Sequence, residues 1–305
     1  MDHLEDRTLL SYTFALVGQT ATVSPVAATG GPILITEIVV AGNPVLQWSE
    51  DNGTTFSTDW DSATGGIQTL AANTASTINL TPTTGAGSSI TLGDLASPAS
   101  NIYALVNLGP PGTAANNSLI IDDRTSIHAA GAYNFYGTLG SITGPGGAAG
   151  GINFTSFGPI NSYLVEGGPA DNTFNIHSTF NATTAGTTIV GGAGNDTANV
   201  LGDTFPAIGT PLSIDLGAGA NTVHVGNGNL GSTISATVVV TDTGGTTTLD
   251  LDNQNDAAHG AATLDDLSGN GSAPFEVTGL SGGNIQYSTG VTALNITGGA
   301  NGGAG

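Results

Sequence analysis

The segment GGAGNDTANV at residues 191–200 decides the fold of this 305-residue chain, because the chain repeats it. Residues 167–176 read GGPADNTFNI, and residues 216–225 read LGAGANTVHV. The copies begin 24 (191 − 167) and 25 (216 − 191) residues apart. A period in this range indicates that each copy is one structural unit, which cannot bury its own apolar face and stacks on its neighbour.

Short apolar runs between the glycines predict strands and not helices. Val, Ile, Thr and aromatic residues form runs such as ILITEIVV at 33–40, STINL at 76–80 and SATVVV at 235–240. Strong helix formers are scarce, since the chain has no lysine and a single Met, Met1. Such strands, joined by glycine turns, predict an all-β protein. The fold expected is a right-handed parallel β-helix (β-solenoid) with coils of about 24–25 residues.

Equivalent positions of stacked coils lie directly above one another, so the repeat also predicts two polar columns. The sixth position of the copies is Asn172, Asp196 or Asn221, which predicts an amide–carboxylate ladder. The seventh position is always threonine, which predicts a hydroxyl ladder of Thr173, Thr197 and Thr222.

A longer repeat overlies the first one. Residues 119–123 (LIIDD) resemble residues 249–253 (LDLDN) at an offset of 130 (249 − 119), and residues 152–168 resemble residues 285–299 at an offset of 131 (298 − 167). Two similar offsets predict a superrepeat of about 130 residues that contains roughly five coils.

The charge balance excludes several classes of protein. The chain has two Lys+Arg and 23 Asp+Glu, a net charge of −21 at pH 7. A nucleic-acid-binding protein needs clustered basic residues, and Arg7 and Arg124 cannot form such a patch. The same deficit excludes a polybasic membrane anchor. No apolar run reaches about 18 residues, so we expect no membrane-spanning segment.

Residues 191–199 resemble the calcium-binding nonapeptide GGxGxDxUx of RTX (hemolysin-type) proteins. In that family, backbone carbonyls and the aspartate coordinate Ca²⁺, which prefers oxygen ligands. The resemblance implies a Ca²⁺ site with these residues: Asp196, Gly192, Gly194, Asn172 and Asn221.

Two departures from the RTX pattern leave a second interpretation open. RTX copies follow one another in tandem, whereas these copies are 24 to 25 residues apart, and Asn172 and Asn221 replace the aspartate. An amide keeps one oxygen ligand but lacks the negative charge that attracts the ion. The alternative is a set of glycine turns joined by a hydrogen-bonded Asn/Asp ladder without calcium.

The N-terminus resembles another bacterial family. Residues 4–10 (LEDRTLL) are similar to the LEPR-XLL motif near the start of large, repetitive surface or secreted proteins, with Asp6 where proline is commoner. The resemblance implies an extracellular or cell-surface location, with the cell envelope or extracellular glycans as partners. We expect an export-like motif at residues 1–11, a strand-rich section and cap at 12–115, and solenoid repeats at 116–305 that are truncated at the C-terminus.

Parallel β-helices also host enzymes that act on polysaccharides and need converging carboxylates. The candidate pairs are Asp122 with Asp123, Asp250 with Asp252, and Asp265 with Asp266. Adjacent residues of a strand point to opposite faces, so only Asp250 and Asp252 share a face.

Trp48 and Trp60 flank an acidic stretch and leave two interpretations open. Their rings could stack on sugars or cap the N-terminal end of the solenoid.

Together these features predict a protein that is not an enzyme. The favoured function is a structural or adhesive β-solenoid segment of an exported bacterial cell-surface protein. A calcium-binding RTX-like secreted module is the alternative, and a polysaccharide-acting β-helix enzyme is a further one.

Overall fold

The computed structural model describes residues 12–26, 31–72, 76–81, 87–109, 117–126, 132–137, 141–144, 151–154, 160–179, 186–203, 208–256, 261–267 and 271–298. Nearly all regular structure within these ranges is β-strand; the exceptions are a 3-10 helix at Ala99–Asn101 and a short helix, α1, at Leu230–Thr233. The all-β prediction is confirmed. The export-like motif expected at residues 1–11 lies outside the described residues.

The described strands are, in chain order, β1 (Tyr12–Val17), β2 (Thr20–Pro25), β3 (Pro32–Val40), β4 (Asn43–Ser49), β5 (Leu70–Ala71), β6 (Thr77–Leu80), β7 (Ser89–Leu92), β8 (Leu105–Leu108), β9 (Asn117–Asp122), β10 (Ala132–Tyr136), β11 (Ser141–Thr143), β12 (Gly151–Phe154), β13 (Ile160–Glu166), β14 (Thr173–Ser178), β15 (Thr187–Gly192), β16 (Thr197–Val200), β17 (Leu212–Gly217), β18 (Ala220–Val225), β19 (Val238–Thr241), β20 (Thr246–Asp252), β21 (Thr263–Asp266), β22 (Phe275–Thr278), β23 (Ile285–Tyr287) and β24 (Val291–Thr297).

These strands form two 12-stranded sheets. The spatial order in sheet 1 is β1-β2-β6-β8-β12-β11-β10-β14-β16-β18-β20-β24. The spatial order in sheet 2 is β21-β22-β23-β19-β17-β15-β13-β9-β7-β3-β4-β5.

Between β13 and β20 the strands alternate strictly between the two sheets, and each strand from β13 to β18 pairs in parallel with the second strand after it in the chain. Thr173 of β14 pairs with Thr197 of β16, which pairs with Thr222 of β18. These partners are 24 (197 − 173) and 25 (222 − 197) residues apart. The period of the sequence repeat therefore equals the number of residues between paired positions of neighbouring strands in sheet 1.

Three antiparallel meanders among the described strands interrupt the alternation. Strands β3, β4 and β5 are consecutive at one end of sheet 2. Strands β10, β11 and β12 are consecutive in sheet 1, where they lie between β8 and β14. Strands β21, β22 and β23 are consecutive at the other end of sheet 2. The chain makes the β10–β12 meander between β9 and β13, and Leu119 of β9 therefore pairs with Tyr163 of β13 at an offset of 44 residues (163 − 119) instead of 24 or 25.

Alternate side chains along the strands are buried and enter one continuous apolar core. In β14, for example, Phe174 and Ile176 are fully buried, while their neighbours in the strand are only half-buried. The ring of Phe174 stacks on that of Tyr133 in β10, with ring centroids 4.8 Å apart. Because paired strands place like residues above one another, the core continues from each strand to the next.

Both tryptophans belong to the core at the N-terminal end of the sheets. The ring of Phe14 stacks on Trp48 at 3.8 Å and meets the edge of Trp60 at 6.0 Å. The indole N–H of Trp60 donates to the Leu46 carbonyl at 2.9 Å. Trp60 is fully buried and Trp48 is 8% exposed, so these rings are not available to stack on sugars.

Residues 119–123 and 249–253, one pair of segments matched by the longer repeat, have the same local structure but lie in different sheets. Asp123, just after β9 in sheet 2, accepts the backbone N–H of Ser100 in the 3-10 helix at 2.9 Å. Asn253, just after β20 in sheet 1, accepts the backbone N–H of Leu230 in α1 at 3.0 Å. Both pairs span 23 residues, and 130 residues separate them (253 − 123). The superrepeat thus marks a shared strand–turn–helix unit, and the two copies are not stacked equivalents.

Replacing Gly194 with alanine should lower the melting temperature. A Cβ at this position would lie 2.4 Å from the Ala170 carbonyl oxygen, which is backbone of the adjacent repeat. Separating the two segments would disturb their register, at an expected cost of about 1–3 kcal/mol. Gly209→Ala is the matched control, because a Cβ there meets nothing within 4 Å. Calorimetric melts of both variants test the prediction, and equal melting temperatures would contradict it.

Candidate functional site

Three buried polar residues of the repeat meet at the same end of β14, β16 and β18. Asn172, Asp196 and Asn221 are 5%, 1% and 2% exposed. The N–H of Thr197 donates to the Asn172 carbonyl, and the N–H of Thr222 donates to the Asp196 carbonyl, both at 2.9 Å. These backbone bonds hold the three side chains in one column.

The predicted amide–carboxylate ladder is confirmed by the side-chain contacts. Asp196 Oδ1 accepts the backbone N–H of Asn172 at 2.6 Å and its side-chain amide at 2.9 Å. The backbone N–H of Asp196 donates to Asn221 Oδ1 at 2.9 Å. The side-chain amide of Asn221 then donates to the Gly217 carbonyl at 3.0 Å. Each rung therefore uses a side-chain oxygen to satisfy a buried backbone N–H of the preceding repeat.

The second carboxylate oxygen of Asp196 differs from the rest of the ladder. Oδ2 is buried and has no hydrogen-bond partner among the described residues. Burial disfavours the charged form and raises the pKa of Asp196 to about 6, against the opposing effect of its bonds from Asn172. The ladder thus contains one buried carboxylate that titrates well above its ordinary range.

The backbones of neighbouring repeats approach so closely around the ladder that only glycine fits at Gly191 and Gly192. A Cβ on Gly191 would lie 2.5 Å from both Asp196 Oδ2 and the Leu216 carbonyl oxygen. Gly192 has φ +123°, and its Cβ would lie 2.3 Å from the Gly168 carbonyl oxygen. Only glycine combines this backbone conformation with such short distances.

Of the five residues predicted for calcium, Asn172, Asp196 and Asn221 are joined by hydrogen bonds, while Gly192 and Gly194 lie against the backbone of Gly168 and Ala170 in the preceding repeat. Several backbone carbonyls near Asn172 already accept a hydrogen bond. The side-chain amide of Asn172 donates to the carbonyls of Gly168, Ala170 and Gly191 at 2.9, 2.7 and 3.2 Å. In the part of the chain that the structure describes, no group of three or more His, Cys, Asp or Glu could hold a metal ion. The calcium site remains a prediction, with Asp196 Oδ2 as its one unengaged carboxylate oxygen.

A second polar ladder runs along the half-exposed face of sheet 1. Its members are Asn134, Asn175, Asn199, His224, Asp250 and Asn295, which are successive partners in the sheet register. Asn199 donates to Asn175 and Asn175 to Asn134, both at 2.9 Å. His224 Nδ1 lies 3.0 Å from Asp250 Oδ2, and Asn295 donates to Asp250 Oδ1 at 2.6 Å.

The sequence contained the signal for this second ladder. The ninth position of the three repeat copies is Asn175, Asn199 and His224, two residues beyond the threonine column. That column is present in register and continues to Thr248 of β20. Thr173, Thr197 and Thr222 therefore lie on the same half-exposed face as the second ladder.

The carboxylate pairs weighed for catalysis lie on three different strands and have separate partners. Asp122 Oδ2 forms an ion pair with Arg124 Nη2 at 2.6 Å, and Arg124 Nε also lies 3.4 Å from Glu166 Oε2. Asp123 accepts the hydroxyl of Tyr133 at 2.7 Å. These contacts hold neighbouring strands and turns together.

The other two pairs differ in setting. Asp250 belongs to the second ladder, and Asp252 accepts the N–H of Gln254 at 3.2 Å in the turn after β20. Asp265 and Asp266 lie on β21, whose residues are all exposed.

Comparisons of the chain with protein-family models, with curated proteins and with solved structures gave no match. Within the described ranges, no helix has the length and apolar character needed to cross a bilayer.

Replacing Asp196 with asparagine should stabilise the protein at neutral pH. The folded pKa of about 6 lies above the unfolded value of 3.8, so Asp196 lowers stability as the pH rises from about 4 through 6. The amide introduced by Asp196→Asn keeps the acceptor oxygen and removes the buried charge. The gain should reach up to about 3 kcal/mol at pH 7 and vanish near pH 4.

Denaturant melts between pH 4 and 8 measure this gain. Asp265→Asn is the matched control, since it makes the same charge change at an exposed residue of β21, at one end of the other sheet. A gain for Asp196→Asn that does not change with pH would contradict the assignment.

Proposed function

We propose that this chain is a right-handed parallel β-solenoid that serves as a structural or adhesive segment of an exported bacterial cell-surface protein. The observation that carries the proposal is the pair of polar ladders in register with the parallel strands. The rungs of the ladder through Asn172, Asp196 and Asn221 link segments 24 and 25 residues apart, so these repeats are bound to one another by backbone and side chain together.

Alternation of consecutive strands between two parallel sheets supports the solenoid. A coil that contributes one strand to each sheet and then returns to the first gives this pairing of β14 with β16 and of β15 with β17. Right-handed crossovers are strongly preferred between parallel strands. Twelve strands per sheet span about 53 Å from first to last at the usual strand spacing of about 4.8 Å.

Two properties support a mechanical or adhesive role for such a rod. Its polar groups are paired along the long axis, which resists local separation of repeats. Its half-exposed face presents rows of threonine hydroxyls and of amides, ending on the exposed side chain of Asn295. Amide and hydroxyl rows can hydrogen-bond the hydroxyls of glycans or envelope polymers.

The location rests on the resemblance of residues 4–10 to the LEPR-XLL motif. A weakly charged chain without cysteine is compatible with an extracellular setting, where a disulfide-free fold depends on its own packing.

Antibodies against the purified chain should label intact cells of the source bacterium. We expect protease added to unbroken cells to remove that signal while a cytosolic marker persists. Labelling that appears only after permeabilisation would overturn the proposed location.

A second candidate, a calcium-stabilised RTX-like secreted module, is favoured by the unpartnered Oδ2 of Asp196. Ca²⁺ usually takes six to eight oxygens, so water or further residues would have to complete the shell that Asp196 and a nearby carbonyl begin.

Calcium chloride should then raise the melting temperature of the wild-type chain and leave that of Asp196→Asn unchanged. Magnesium chloride at the same concentration controls for general screening of the −21 charge. Equal shifts in both proteins, or equal shifts with both salts, would exclude a specific site.

A further inference from the structure

One β-hairpin of sheet 2 extends beyond its neighbouring strand. Strands β3 and β4 remain paired as far as Val40 and Asn43, directly beside the turn. On its other side, β3 pairs with β7 only from Pro32 to Ile35 in the described part of the chain. The N–H of Gly93, just after β7, then donates to the Ile35 carbonyl at 2.8 Å. Residues 38–43 lie past this point, and we call them the β3–β4 tip.

The β3–β4 tip exposes aliphatic side chains in succession. Ile38, Val39 and Val40 are 39%, 61% and 45% exposed, and Ala41 after them is exposed as well. The other large apolar side chains that are exposed in the described ranges stand singly, which is normal for a folded chain in water. A run of three or more exposed apolar residues is unfavourable in water and marks a site of interaction.

The turn of the hairpin carries no polar side chain at the position where one is usual. Ala41 and Gly42 both have positive φ, 51° and 83°, as a two-residue type I′ turn requires. Asparagine, aspartate or glycine is preferred at the first of these positions, because other side chains are strained in the left-handed region. Alanine keeps the tip apolar instead. No charged residue occurs between Glu37 and Glu50, although the whole chain has a net charge of −21.

Aliphatic side chains lie on both faces of the hairpin. Successive side chains of a strand point to opposite faces, so Val39 lies on the face opposite to Ile38 and Val40. A flat protein surface would cover one face and leave the other in water. A strand added beside β3 would lie in the plane of the hairpin and leave both faces exposed. A fluid apolar phase, in contrast, surrounds the tip and covers both faces at once.

The length of the tip matches the depth of insertion at a membrane surface. Glu37 pairs with Leu46 at the base of the tip and is the charged residue nearest to the turn. Val40 lies three residues further along the strand, or about 10 Å at about 3.3 Å per residue. Protein groups that bind in the interface of a bilayer enter it by about 5–10 Å. The apolar residues can therefore enter the lipid while Glu37 stays at the level of the headgroups.

We propose that the β3–β4 tip inserts into the interface of a zwitterionic lipid bilayer and attaches the chain reversibly to the membrane surface. Transfer of three aliphatic side chains out of water drives the binding. The attachment is weak, because these side chains bury less apolar surface than one acyl chain, which by itself gives only marginal binding. The net charge of −21 repels anionic lipids and so favours a zwitterionic surface.

This proposal does not depend on the proposed function. It concerns a different part of the molecule from the two polar ladders, and it requires no particular compartment. Loss of one proposal therefore leaves the other standing.

Co-sedimentation of the 305-residue chain with phosphatidylcholine vesicles tests the insertion. We expect binding that rises with lipid concentration and is insensitive to sodium chloride, because apolar burial drives it. Replacing part of the phosphatidylcholine with phosphatidylglycerol should weaken binding at low salt, since like charges then repel.

Val39→Asp places a charge in the tip and should abolish binding to the phosphatidylcholine vesicles. Leu264→Asp is the matched control, because Leu264 is 60% exposed against 61% for Val39. It lies on β21, at the other end of sheet 2 from the β3–β5 meander, and should bind like the wild type. Circular dichroism melts establish that both variants fold.

A fluorescence reporter gives a second readout that does not need the aspartate variants. The emission of Val39→Trp should shift to shorter wavelength when phosphatidylcholine vesicles are added, whereas that of Leu264→Trp should not. A wild-type chain that does not bind the vesicles would overturn the proposal, as would equal binding by folded Val39→Asp or stronger binding to phosphatidylglycerol. A wild-type oligomer that Val39→Asp dissociates would also overturn it and would assign the tip to a second copy of the chain.

Discussion

The rest of the structure depends on the parallel register between segments 24 and 25 residues apart. A short β-strand has little stability alone, so each one needs a partner at a fixed offset along the chain. The backbone bond from Thr197 to Asn172 and the side-chain bond from Asn172 back to Asp196 impose the same offset. A slip by one residue would break both bonds and turn the buried row of Phe174 and Ile176 to the exposed face. This stacking requires glycine at positions such as 192 and 194, because a side chain there would separate the repeats.

Several turns use an aspartate side chain as their hydrogen-bond acceptor, which accounts for part of the acidic composition. Asp51 accepts the N–H and the hydroxyl of Thr55, and these bonds hold its pKa at about 2. Asp94 accepts the N–H groups of Ala96 and Ser97 in the same manner. Such carboxylates are stabilised by backbone dipoles, so they do not require lysine or arginine as partners. Two cations and a net charge of −21 are therefore compatible with a folded chain.

Sequence reasoning reached those features that repeat and missed those that occur once. The all-β class, the register of the threonine column and the ladder through Asp196 all follow from a pattern that recurs three times. The second ladder, from Asn175 to His224, was present in the same alignment and needed only a comparison of its ninth position. The meanders at β3–β5, β10–β12 and β21–β23 do not recur with the repeat, and strand propensity does not distinguish a parallel from an antiparallel partner. The 130-residue offset relates two segments with the same turn, the one after β9 and the one after β20. Because this turn occurs in both sheets, the offset does not indicate which sheet each segment joins.

The ladder does not explain why position 196 carries a charge. Asp196 uses only Oδ1 to accept from Asn172, and an asparagine oxygen accepts the same two bonds. Asn172 and Asn221 show that amides fill equivalent rungs. Burying the charge of Asp196 therefore destabilises the protein, and the ladder gains no hydrogen bond from it that an amide would not make. Among the described residues Oδ2 has no hydrogen-bond partner, so this oxygen is available to a proton, since burial raises the pKa of Asp196 to about 6, or to the proposed calcium ion. The amides of Asn172 and Asn221 therefore join the repeats without a buried charge, and Asp196 is the rung whose contribution to stability we expect to change with pH.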